Sequence, residues 1–429
     1  METNPHHTNN TNGEGHFPYK GFEKSSYFHD LQYADANLMN RDADDAVRMT
    51  TNPDCYDLQI MGKTPPYGAN YFYGGIGFQL SSYETGEVID CVDIFKQPAF
   101  DHPLLKSHTI QIKPSSNRKG NGAGYVEGAL NQAWWKYGEC PERTIPIRRP
   151  QNHTNRHVIP LTPHMKRLNL SENIITPPRG HEYAQVSMIG GNYRGANAKI
   201  NVWNPSVMHR EASFSQIRLT SGPKENLNTV EAGWMINTDP STSNQSELFI
   251  YWTSDGYQQT GCYNLECPGF VQTSSKIALG SRILPVSTYG GQQYDITIGI
   301  TKNDVLGRWW LRVADVEVGY WPGEIFTTLG GSADVIRWGG EIVNSERHGL
   351  HTSTEMGSGH FPSEGFGKAA FFRNLKFVDD GSIERDAKNL KKYVTRPECY
   401  DLLLKVDPPN PFGVHFFFGG SGFSAQCAN

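Results

Sequence analysis

Two acidic residues sit in settings unlike the ordinary surface carboxylate. Glu231 lies in Thr229-Val230-Glu231-Ala232-Gly233-Trp234-Met235-Ile236, and Glu341 in Ile336-Arg337-Trp338-Gly339-Gly340-Glu341-Ile342-Val343. Two carboxyls brought together can hydrolyse a bond if the ionised one activates water and the protonated one supplies the leaving group's proton. Read as a strand, the first run turns Val230, Ala232 and Trp234 one way and Glu231, Gly233 and Met235 the other. That places a carboxylate beside a residue without a side chain, where another backbone can approach. The two glutamates are far apart in the chain, so only tertiary structure can join them. The chain has 44 acidic residues, most of them necessarily solvated, so spacing alone does not make this pair catalytic.

Other chemistries fit less well. There is no Gly-x-Ser-x-Gly elbow and no His-Glu-x-x-His zinc motif. His102, His108 and His360 are isolated in sequence. Gly74-Gly75-Ile76-Gly77 and Gly419-Gly420-Ser421-Gly422 follow aromatic runs and precede no helix start, which suits a sheet bend better than a phosphate cradle. A net charge of −5 argues against binding nucleic acid by phosphate neutralisation. No apolar run approaches the ~18 residues of a membrane helix.

The elements that must carry the glutamates read as strands. The 429 residues suffice for two or three domains. Aromatics make up 12% and charged residues only 19%, a balance that suits pleated sheets. From Tyr183 onward, short runs such as Glu247–Trp252, Tyr294–Ile300 and Trp309–Val318 alternate with Gly, Pro and Asn turns. Such spacing implies an antiparallel sandwich or barrel. Earlier, prolines at 98 and 103 disfavour a long helix. Residues 150–180 are polar and proline-rich, with Lys166-Arg167, and read as a protease-accessible linker.

An internal repeat organises the rest. His16–Tyr33 matches His360–Phe377. The match resumes at Asp54-Cys55-Tyr56-Asp57-Leu58 against Glu398-Cys399-Tyr400-Asp401-Leu402 and ends at Gly77-Phe78 against Gly422-Phe423. Residues 1–84 therefore read as the end of a neighbouring copy, left by tandem duplication or by a faulty joining of two genes. Met1–Phe17 has no apolar stretch of the export-signal type. The cysteines lean toward an oxidising compartment instead: Cys262 and Cys267 flank a four-residue loop, and Cys399 and Cys427 bracket the C-terminal segment. Disulfides are favoured over free thiols, and zinc is weaker still. Seven cysteines leave one over, and the repeat identifies it as Cys55, which has no partner equivalent to Cys427.

At these residues the sequence resembles the neprosin family of plant glutamic peptidases, over about residues 85–429. An activation domain is suggested by Ile89-Asp90-Cys91-Val92, Gln97-Pro98-Ala99-Phe100-Asp101-His102-Pro103, and Cys140-Pro141 with Thr144-Ile145-Pro146-Ile147-Arg148-Arg149. A peptidase domain is suggested by Asn201-Val202-Trp203, Glu231-Ala232-Gly233-Trp234, Tyr251-Trp252-Thr253, Gly261-Cys262-Tyr263-Asn264-Leu265, Gly319-Tyr320-Trp321-Pro322, Trp338-Gly339-Gly340-Glu341 and Cys399-Tyr400-Asp401. The chain departs from the family at Met235-Ile236, where many members have Gln-Val.

The resemblance implies a secreted zymogen, all-β, with an antiparallel sandwich peptidase domain at 176–429 and a smaller α+β activation domain at 85–175. It implies endopeptidase cleavage after proline at acid pH, without metal or cofactor, by Glu231 and Glu341. It implies disulfides Cys91–Cys140, Cys262–Cys267 and Cys399–Cys427. Peptide or protein substrates are then the partners, with no nucleic acid and no membrane, and the activation domain is an intramolecular inhibitor folded over the cleft. Trp234 and Trp338 are candidates for a proline pocket, and a glutamine-type oxyanion donor is expected nearby. Acid would loosen the activation domain by protonating carboxylates and histidines such as His102 and His108. The alternative is an inactive sandwich that binds cell-wall polysaccharide.

Overall fold

The computed structural model describes residues 87–115, 130–149, 180–237, 245–302, 306–344, 351–405, 411–425 and 427, with the backbone of six short strands before them. Those six are Ser26–Phe28 (β1), Gln32–Ala34 (β2), Asn40–Asp42 (β3), Asp57–Met61 (β4), Asn70–Gly74 (β5) and Phe78–Ser81 (β6). Residues 85–175 contribute Val88–Asp93 (β7) and Thr144–Arg148 (β8). The remaining strands are His181–Tyr193 (β9), Gly195–Asn201 (β10), Ala212–Ser221 (β11), Asn228–Asn237 (β12), Glu247–Thr253 (β13), Cys262–Tyr263 (β14), Val271–Gln272 (β15), Asp295–Lys302 (β16), Trp309–Val313 (β17), Val316–Trp321 (β18), Ala333–Val343 (β19), Ala370–Val378 (β20), Glu384–Asp386 (β21), Lys391–Val394 (β22), Asp401–Lys405 (β23) and His415–Gly419 (β24).

These last sixteen strands form an antiparallel sandwich. One sheet runs β15-β18-β17-β16-β10-β20-β24-β23, with β21 on β20; the other runs β14-β13-β12-β11-β19-β9-β22. Side chains alternate along each strand, and the apolar set of each sheet turns inward. Ala184, Val186, Ile217, Leu219, Val230, Trp234, Ile336 and Trp338 of the seven-stranded sheet meet Ala198, Ile200, Ile298, Leu311, Phe372 and Phe416 of the other in one buried core.

The repeat is visible in the hydrogen bonding. β1 pairs β5 through Ser26↔Tyr73 and Phe28↔Tyr71, and β20 pairs β24 through Ala370↔Phe418 and Phe372↔Phe416. The hairpins also correspond, with Asp57↔Gly74 in β4–β5 and Asp401↔Gly419 in β23–β24. Sequence positions that match in the repeat thus occupy the same register. Cys55, the leftover cysteine, lies outside the described residues.

In the segment before the sandwich β7 pairs both β6 and β8, and a disulfide joins Cys91 to Cys140. Its helical pieces among the described residues are single 3-10 turns at Pro98–Asp101, Pro103–Leu105 and Ala133–Tyr137. Pro98 and Pro103 each open such a turn and withhold the backbone N–H that a longer helix would use. Ile94, Leu105, Leu130 and Ile145 enter the sandwich core itself.

Two buried glutamines fasten this segment to the sandwich. Gln97 donates to Gln272 O (3.0 Å) and accepts from Gln272 N (2.7 Å), so its amide pairs with edge strand β15 as a neighbouring strand would. Gln132 does the same with Ala278, at 2.8 Å in both directions. Arg148 pairs with Glu247 at 2.8 Å, and His108 meets Tyr320 OH at 2.9 Å. These contacts fall on the β15–β18 edge, the 270–284 loop and β13. The expectation of a segment folded over the glutamates also concerns residues 116–129 and 150–179, which lie outside the described residues.

Candidate active site

The glutamates sit two strands apart on the outer face of the seven-stranded sheet. Glu231 of β12 is opposite Arg218 of β11, and Glu341 of β19 is opposite Phe214 of the same β11. Gln216, between them on β11, has Gly233 directly across on one side and Gly339 on the other. A Cβ at Gly339, whose φ is +147°, would lie 2.3 Å from Ala184 O, and one at Gly233 would lie 2.0 Å from Ser215 O. The glycines beside the two acids thus permit close strand approach and leave no side chain directly across from Gln216 on either neighbouring strand.

Arg218 joins the pair. Its Nε lies 2.9 Å from Glu231 Oε2, and its Nη2 donates to Glu341 Oε2 at 2.7 Å. Gln216 Nε2 donates to the same Glu341 oxygen at 2.8 Å, and His181 Nδ1 lies 2.7 Å from Glu341 Oε1. Glu231 Oε1 accepts from Thr229 Oγ1 (2.9 Å) and Tyr257 OH (3.0 Å). Both carboxylates are buried, 0% and 1% exposed, so in this state bulk solvent and substrate do not reach them.

Burial alone would raise the Glu341 pKa. The Arg218 charge, followed by hydrogen bonds from His181 and Tyr183, reverses this and holds it below the usual glutamate range. Arg218 itself, despite burial, is pushed upward by Glu231 and Glu341 and stays charged. Burial pushes Tyr183 and Tyr257 well up, with the nearby carboxylate adding to the shift, so both hydroxyls remain donors. Glu231 Oε2 makes no hydrogen bond among the described residues beyond its ion pair with Arg218. Met235, Phe214, Phe249, Tyr251, Tyr257 and Tyr263 pack together beside the acids.

Glu231 and Glu341 thus lie in one charged cluster, with the Arg218 guanidinium bridging the two. Trp234 and Trp338 are elsewhere. Both have even parity on their strands, are 0% exposed, and point into the sandwich core; the Trp234 indole donates to Asn201 O at 2.9 Å. They face away from the acids and cannot line a pocket beside them. Sequence reasoning missed Gln216, Arg218, His181, Tyr183 and Tyr257. The available signal was the alternation Phe214-x-Gln216-x-Arg218 within a strand run, which puts polar groups on one face.

Disulfides also join Cys262 to Cys267 and Cys399 to Cys427. His351, Cys399 and Cys427 are close enough to hold a metal, but both thiols are consumed by the disulfide. His351 Nε2 instead lies 2.8 Å from Glu182. No helix among the described residues is long and apolar enough to cross a membrane.

The family model for Neprosin matches residues 1–76 and 209–421, and that for the Neprosin activation peptide matches 81–187. The chain belongs to the Neprosin family. The split match places a first piece of the neprosin domain ahead of the activation segment, where the repeat begins. Among solved structures, the chain is similar to scytalido-glutamic peptidase with a peptide-based transition state analog (13% identity, 56% of this chain and 98% of that one, TM-score 0.29). It is also similar to SCP-B, an Eqolisin-family peptidase in complex with the tripeptide Ala-Ile-His (13%, 55% and 96%, 0.28), and to a Caenorhabditis elegans galectin (15%, 39% and 93%, 0.21). At these values none of the three bears on the chemistry of this chain.

Proposed function

We propose that the chain is a glutamic endopeptidase, made as a zymogen, acid-active and cleaving at proline, with Glu231 and Glu341 as its catalytic pair. Residues 85–175 are its activation domain and 176–429 its peptidase domain. The observation that carries this reading is the Arg218 bridge, which holds two buried carboxylates on one face with a glutamine amide between them. Paired acids whose surroundings push their protonation apart divide into base and acid. Glu341, kept ionised by Arg218, His181 and Tyr183, is the base for water. Glu231, across Arg218 from it, is the acid that protonates the leaving amine. Gln216 and Arg218 stabilise the oxyanion between them.

The ring cluster around Phe214, Tyr251 and Tyr263 offers a flat apolar wall for a proline ring, the role first expected of Trp234 and Trp338. The buried pair suits a latent form from which the substrate is excluded. The three disulfides suit an oxidising, extracellular setting. The test is cleavage of a proline-containing peptide library by the processed protein at acid pH. Cutting at proline that falls about 10²–10⁴-fold in Glu231→Gln and in Glu341→Gln is the expected result. Absence of cleavage, with glycan binding that both substitutions leave intact, would replace the peptidase by the binding module.

A further inference from the structure

We propose that His181 is a positioning residue for Glu341, and that maturation must therefore cut the chain before it. This rests on the peptidase reading above. His181 opens β9 directly after the 150–179 segment, and Asn344 N donates to Gly180 O at 2.6 Å, tying the strand start to the end of β19. His181 opposes Val343, which puts its ring on the glutamate face one diagonal step from Glu341. The ring is buried, lies nearly parallel to Tyr183 at 6.3 Å and 23°, and brings Nδ1 to 2.7 Å from Glu341 Oε1.

The consequence is a fixed carboxylate. His181 takes Oε1, while Gln216 and Arg218 take Oε2, so the carboxylate plane is set and Oε2 is aimed toward Arg218 and Glu231. The hydrogen bond and the charge of His181 both hold Glu341 low. The other ionisable groups on this side include Tyr183 on the same strand, Tyr393 on β22 packed against Tyr183, Arg218 on β11, Arg337 on β19, Glu231 on β12, Tyr263 on β14 and Tyr257. Glu182, next in sequence, is engaged by His351 instead. His181 is thus the one imidazole among the described residues that touches the pair. A protease that trims past Gly180 removes it.

Two measurements on the full chain and its processed form test this. Carboxyl-carbon NMR of Glu341 in the wild type and in His181→Gln reads the pairing whether or not the protein cleaves anything. The Glu341 midpoint should move to higher pH in the variant, and an unmoved midpoint overturns the proposal. If the protein is a peptidase, the acid limb of its pH–rate profile should shift upward in the same direction, with kcat falling in His181→Ala far more than KM changes and recovering in part in His181→Gln. A purely structural histidine would leave the acid limb in place. The N-terminus of the processed form should fall at or before Gly180; a fully active form beginning at Tyr183 or later contradicts the proposal. Loss of all cleavage with an intact NMR shift would sink the peptidase reading and leave the pairing standing.

Discussion

On its inner face the seven-stranded sheet presents Ile217, Val230, Trp234, Ile336 and Trp338; on its outer face, one residue along the same strands, it presents Arg218, Glu231, Gln216 and Glu341. The same backbone therefore carries a dry apolar layer and a dense ionic cluster. Side-chain period is two, so a one-residue slip of β12 or β19 would exchange these sets. Register is what separates stability from chemistry here, and the tryptophans on the inner face are what pin it. The ionic face is costly to bury, and the charges of Glu231 and Glu341 are offset there by the guanidinium they share.

The largest expected effect comes from breaking that balance. Arg218→Leu leaves two buried carboxylates without their shared cation and should cost about 3–5 kcal/mol in denaturant unfolding, with cleavage abolished. A loss below about 1 kcal/mol would show that the bridge is not formed in solution. Trp338→Ala, on the other face, should cost about 3–5 kcal/mol through the cavity it leaves, while the protein that remains folded keeps the wild-type pH–rate profile. A changed profile would mean that the two faces are not independent. The glutamate side also predicts how stability depends on pH. Glu341 is held low in the folded state, so the stability its charge lends is complete above the ordinary glutamate range and is lost as pH falls through its depressed value.

The smallest effect concerns the activation segment. Burial, and then Arg308, pull the His108 pKa down, and burial pulls His102 down. Docking therefore favours the neutral rings, and its stability is lost as pH falls below the ordinary histidine range. Glu247, pushed up by burial against the pull of Arg148, has the opposite sign. The acid loosening expected of this segment would then rest on the histidines. His108→Gln should move acid-induced release, followed by limited proteolysis, to lower pH, and an unchanged midpoint would remove His108 from that role.

Much of this was legible in the sequence because alternation is local. The strand runs, the parity that set Glu231 apart from Val230, Ala232 and Trp234, and the repeat all follow from short-range pattern. The same parity already excluded Trp234 as a neighbour of Glu231, and Trp338, three residues before Glu341, was excluded likewise; nominating them overlooked period two. Arg218, Gln216 and His181 stayed hidden because their roles depend on which strands adjoin, which long-range pairing decides. The docking of the activation segment was missed for the same reason: Gln97 and Gln132 act through backbone atoms of residues 272 and 278, far along the chain.

A double-substitution cycle on proline-peptide hydrolysis at acid pH tests the pair most directly. Residues that act as one unit are not additive. The account predicts that Glu231→Gln, Glu341→Gln and the double substitution all lower kcat/KM by about the same factor. Losses that multiply in the double substitution, or a single substitution that retains the wild-type rate, would contradict it.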